Sequence, residues 1–163
     1  MFRKSQAALE FLTTYGWAFL VILIMIGTLA YFGILNPSKV LPNRCTFGAE
    51  FQCADYQISA TANTFKIRLK NGVGEPISIS AITLGSEGLT SYACAGPGNT
   101  PALPYTFSSG SVQDFLFNGC NTAATGFIAG EKGKVLVTIT YNTASSGATY
   151  ARQVKGEVYA GIV

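Results

Sequence analysis

Arg3-Lys4-Ser5-Gln6-Ala7-Ala8-Leu9-Glu10-Phe11 opens a run in which Glu10 is the last charge before Lys39. From Phe11 to Leu35 there is neither a charge nor a proline, and Phe19-Leu20-Val21-Ile22-Leu23-Ile24-Met25-Ile26 is apolar at every position. At the helical rise these 25 residues span about 37 Å, more than the roughly 30 Å of a bilayer's hydrocarbon. A helix apolar on every side needs lipid or protein all around it. Asn36-Pro37 is the expected stop, because the residue before proline is pushed out of helical geometry. Arg3 and Lys4 flank the N-terminal side, so that end is expected to stay cytoplasmic while the rest is exported. The run is too long for a cleaved secretory signal and lacks a small-x-small cut site. A carboxylate at the mouth of such a segment is costly unless it is paired, and Gln6 lies on the same helical face four residues earlier.

The stretch Arg3-Lys4-Ser5 followed by Gln6-Ala7-Ala8-Leu9-Glu10-Phe11 resembles the class III signal sequence of archaeal type IV pilins. Thr13-Thr14-Tyr15-Gly16-Trp17-Ala18 and Ala30-Tyr31-Phe32-Gly33 are similar to the same family. The likeness covers about the first forty residues; beyond them only the style agrees. It implies a cut by prepilin peptidase between Ser5 and Gln6, which places Glu10 four residues after the new N-terminus. The new amine of one subunit and Glu10 of a neighbour then form a pair that offsets the burial of both and sets axial register. Gly16, Gly27 and Gly33 are the positions expected to admit close helix neighbours. The implied partners are further copies of this chain in a helical homopolymer, the peptidase, the pilus assembly machinery, and the membrane that holds the precursor. The implied role is an adhesive extracellular filament. The archaellum filament subunit is a sibling alternative, and a non-polymerising, single-pass anchored ectodomain is the alternative from another class.

After Leu35 the hydrophobic period changes to two. Phe65, Ile67 and Leu69 alternate with Lys66, Arg68 and Lys70, and Val135, Val137, Ile139 and Tyr141 repeat the pattern. Asn71-Gly72-Val73-Gly74 reads as a turn, with Ile77–Leu84 returning beside the first strand. Tyr150–Val158 is expected to pair with the strand ending at Tyr141, and residues 142–148 to form a loop. Residues 56–60 and 112–117 are weaker strands, and the stretch 86–125 is rich in loops. The expected class is therefore α+β: a leader at 1–5, a hydrophobic helix at 6–36, a hinge at 37–44, and a head at 45–163 built as an antiparallel β-sandwich or partly open barrel.

Cys45, Cys53, Cys94 and Cys120 all follow the apolar run, as suits two disulfides in an oxidising space. Four cysteines permit three pairings; the favoured one joins Cys45 to Cys53 and Cys94 to Cys120. The chain has no histidine and no Cys-x-x-Cys, so neither a metal centre nor a cofactor is expected. The acids of the head are scattered singly, without the paired carboxylates that hydrolysis needs, and no catalytic residue is expected. With a net charge of +3 and cations spread out, Lys66, Arg68 and Lys70 read as a solvated strand face, with no nucleic-acid partner.

Overall fold

The alternating stretches 64–70 and 134–141 form strands with one buried face, and a computed structural model places each at the centre of a different sheet. It describes residues 3–33, 41–87 and 91–163, apart from the side chains of 3–8 and 12. The elements run α1 (Arg3–Tyr31), β1 (Arg44–Thr46), β2 (Phe51–Ser59), β3 (Thr64–Asn71), β4 (Ile77–Gly85), β5 (Tyr105–Phe107), β6 (Val112–Phe117), β7 (Lys132–Thr143) and β8 (Arg152–Gly161). They divide into two units, Met1–Leu41 and Pro42–Val163. The class is α+β, with one apolar helix followed by antiparallel sheets.

In the second unit, the head, a five-stranded sheet has the order β1-β8-β7-β4-β5 and a three-stranded sheet the order β2-β3-β6. Phe65, Ile67 and Leu69 of β3 and Val135, Val137, Ile139 and Tyr141 of β7 are all buried in one core. Aromatic rings join the sheets: Phe51 of β2 meets Tyr141 edge-on at 5.5 Å, and Phe115 of β6 meets Phe107 of β5 at 5.9 Å. Each fully buried side chain of this size contributes about 1.5–3 kcal/mol. The sheets do not close into a barrel. At one seam the chain's last residues bridge them, Val163 N donating to Ile58 O and Ala60 N to Val163 O.

β7 and β8 pair as expected, with Lys134 opposite Tyr159, though β7 continues to Thr143 and β8 runs from Arg152 to Gly161. β6 occupies 112–117 as expected, and β2 begins at Phe51, five residues earlier than its periodicity suggested. The expected pairing of β4 beside β3 does not occur: β4 crosses to the other sheet and pairs with β7 and β5. The cause is Asn71, a buried side chain at the end of β3. Its Nδ2 donates to Phe107 O at 2.9 Å and to Glu75 O at 3.1 Å, while its Oδ1 accepts from Val73 N at 2.9 Å. These bonds tie the turn to β5 of the opposite sheet and carry the chain over the edge of the core.

Both favoured disulfides are present. Cys45–Cys53 joins β1 of the large sheet to β2 of the small one, and Cys94–Cys120 closes the loop-rich segment. Each contributes about 2–4 kcal/mol through loop closure. Beside the second bridge, backbone passes backbone. A Cβ on Gly96 would lie 2.7 Å from Asn118 C and O, and one on Gly119, whose φ is +62°, would lie 2.6 Å from Gly96 Cα. Gly96→Ala is therefore expected to destabilise the head by about 1–3 kcal/mol, because main chain cannot yield as a side chain does. Gly85→Ala, whose Cβ would meet nothing closer than Leu136 Cβ at 3.9 Å, is the control expected to be near neutral in the same thermal unfolding measurement.

Candidate functional site

α1 forms because its residues leave no other satisfactory arrangement of backbone polar groups in apolar surroundings: a helix bonds every amide within the segment. Its 29 residues contain no proline. Leu9–Tyr31, 23 residues with mean hydropathy 1.9, is long and apolar enough to cross a membrane. The threonine hydroxyls that interrupt it are satisfied locally. Thr14 Oγ1 donates to Glu10 O at 2.8 Å, Thr28 Oγ1 to Met25 O at 2.8 Å, and Thr13 Oγ1 reaches Leu9 O at 3.0 Å. These three threonines therefore present no unpaired donor to an apolar surround.

Large apolar side chains point out all around this helix: Trp17 is 71% exposed, Phe19 62% and Met25 60%, and Leu20, Ile22, Leu23, Ile24 and Ile26 are exposed beside them. Single exposed apolar residues are ordinary on a folded surface, but a continuous band of them marks a surface built for other apolar matter. Glu10 is exposed at the start of this band. Ser5 and Gln6 lie in the first turns of α1, with side chains outside the described residues. Gly16 and Gly27 are eleven residues apart, about three turns, and so share one face. Beyond the adjoining helix backbone, no atom of the described residues lies within 4 Å of where a Cβ would sit on either.

Gly33, the third glycine expected to admit close helix neighbours, sits beyond the last helical turn. α1 ends at Tyr31, short of the expected end at 36. Gly33 adopts φ 70°, the left-handed conformation that glycine takes without a Cβ clash. The amide pattern tightens there, Phe32 N bonding Thr28 O and Gly33 N bonding Ala30 O, both at 3.0 Å. The expected stop at Asn36-Pro37, and residues 37–40 of the 37–44 hinge, lie outside the described residues.

The head's polar chemistry is organised by strand register. Arg68 of β3 lies opposite Asp114 of β6, and its Nε and Nη2 bond the two carboxylate oxygens at 2.5 and 2.8 Å. Arg68 holds the Asp114 carboxyl below the usual range, chiefly by that hydrogen bond. Lys66 and Lys70 flank Arg68 on the same exposed face, as their alternation implied. A concavity of about 570 Å³ there is lined by Asp55, Gln57, Lys66, Arg68, Thr100 and Asp114 among others. On the five-stranded sheet, Glu157 bridges Arg44 at 2.5 Å and Lys134 at 2.9 Å, and Lys134 also reaches Glu87 at 2.7 Å. Lys134's hydrogen bond holds the Glu157 carboxyl below its ordinary range.

Tyr92 is fully buried, packed on Phe65 and Phe127, and its hydroxyl has no hydrogen-bond partner among the described residues. Burial pushes its phenol well above the ordinary value. The neutral form is favoured in the folded head, so this contribution to stability is intact below about pH 10 and is lost as the pH rises beyond it, where the unfolded chain ionises first. Tyr141 is shifted the same way, first by burial and then by Glu50. Tyr92→Phe is expected to flatten the loss of stability above pH 10 in alkaline denaturant titrations. A slope unchanged from the native chain would contradict this role.

Compared with known proteins, the chain matches no family model and no curated protein.

Proposed function

We propose that this chain is a structural subunit of an extracellular type IV pilus-like filament of the archaeal kind, used for adhesion to surfaces. The observation that carries the reading is α1: a helix apolar and exposed on every side, next in sequence to a disulfide-bonded β head. The precursor sits in the membrane with Arg3 and Lys4 on the cytoplasmic side. Prepilin peptidase cuts between Ser5 and Gln6. The apolar helix then leaves lipid for a core made of copies of itself, exchanging one apolar surround for another, and the head, a β-sandwich, forms the outer wall. The new amine at Gln6 pairs with Glu10 of a neighbour, and Gly16 and Gly27 bring helices close. The peptidase and the assembly machinery are its transient partners; other copies of the chain are its permanent ones.

Mass spectrometry of the native protein's N-terminus tests the reading. A chain beginning at Gln6 is the expected result. Retention of Met1 to Ser5 in the native membrane would instead favour a single-pass anchored ectodomain.

A further inference from the structure

The polypeptide enters the head through β1, and β1 is the weakest kind of strand. It is three residues long, sits at the edge of the five-stranded sheet, and pairs with β8 alone: Arg44 opposite Tyr159, Cys45 opposite Val158 and Thr46 opposite Glu157. A strand so short carries few ladder bonds, and a pull on its free end peels them one at a time. Yet fasteners of three kinds converge on it. Cys45 is bonded to Cys53, the third residue of β2, in the other sheet. Arg44 Nη2 lies 2.5 Å from Glu157 Oε1, and the other oxygen of Glu157 is held by Lys134 Nζ at 2.9 Å. Phe47, one residue past β1, lays its ring on Gly156 so closely that a Cβ there would overlap the ring.

We infer that β1 and its bridge form a tension clasp, which passes a pull arriving from the helix side directly to β2 of the second sheet. The non-covalent fasteners keep β1 seated at rest. Under load, ion pairs that water reaches at least in part and a three-residue ladder yield early. The Cys45–Cys53 bond does not yield, so the load skips residues 46–52 and reaches β2, which pairs with β3 along its length. The head then has no partly opened state in which it lengthens before it unfolds. The inference rests on the reading that the helix is held, in a polymer or a bilayer, while the head is pulled. It is tested on single molecules, so its failure would leave the polymer reading where it stands.

The experiment is single-molecule force spectroscopy on the full chain. The helix is held in a lipid nanodisc fixed to the surface, and the pulling handle is a peptide tag inserted between Ala148 and Thr149, in the exposed β7–β8 turn. The native chain is expected to show no lengthening of the head before its main unfolding event. Cys45→Ala/Cys53→Ala is expected to show an earlier step of at most about 25 Å, the contour length of the seven residues 44–50 at about 3.5 Å each, less the distance they already span in the fold. Traces that match in both chains would overturn the proposal. If the double variant does not fold, the native chain is held under constant load and a phosphine reductant is added. The same step appearing on reduction supports the clasp, and reduction without it overturns the clasp. Arg44→Ala with the bridge intact is expected to leave the native trace unchanged, and an early step in that variant would also overturn the proposal, because the ion pair would then be what carries the load.

Discussion

Phe51→Ala is expected to lower the head's stability by about 3–5 kcal/mol, a fall of about 10–20 °C in its unfolding midpoint. Phe51 begins β2 and is 2% exposed. Its ring is edge-on to Tyr141 of β7 at 5.5 Å and stacked with Phe107 of β5 at 6.5 Å. One side chain of the small sheet therefore contacts two strands of the large one. Truncation removes its transfer energy and leaves a cavity that rings in fixed strands cannot close. With a typical domain stable by only about 5–15 kcal/mol, this single change removes a large part of the margin. Val112→Ala, at a position 53% exposed, is the control expected to stay within about 0.5 kcal/mol. Thermal denaturation of the two variants side by side decides the matter, and a loss under 1 kcal/mol for Phe51→Ala would show that the sheets are not joined through this ring.

Glu10→Gln is expected to abolish filament assembly while leaving membrane insertion and the head's unfolding midpoint unchanged. In the proposed polymer, the amine at Gln6 is taken out of water at every subunit. Removing the carboxylate leaves that charge unpaired, at a cost of about 3–5 kcal/mol for each contact if burial is complete. A repeating lattice multiplies the defect along its whole length. Glutamine keeps the shape and loses the charge, so the substitution separates pairing from packing. The readout is the protein recovered in the pelleted, sheared appendage fraction against that left in the membrane. Normal recovery in the appendage fraction would show that Glu10 sets no register.

The parts legible in the sequence were those written in continuous local patterns. Phe65, Ile67 and Leu69 against Lys66, Arg68 and Lys70 declared β3 and its buried face, and Val135 to Tyr141 did the same for β7. The unbroken apolar run 19–26 declared an all-round apolar helix without any structure. What escaped depends on contacts distant in sequence. β4 left its expected neighbour because Asn71 Nδ2 bonds Phe107 O, thirty-six residues away. The Arg68–Asp114 pair depends on the register of β3 against β6, forty-six residues apart. Three-residue β1 and β5 are too short to show any period, although β1 turns out to be where the chain joins the head. Asn36-Pro37 reads as the helix end, yet Gly33 already turns the backbone left-handed, a use of glycine that composition alone does not distinguish from close packing.

The most direct test of the central claim is electron cryomicroscopy of appendages sheared from the native cells and identified by this chain's peptides. The expected result is a helical fibre with residues 9–31 of every subunit packed along its axis and the β head outside. Finding the native protein only as separate molecules in the membrane fraction, with no fibre containing it, would show that the chain does not polymerise.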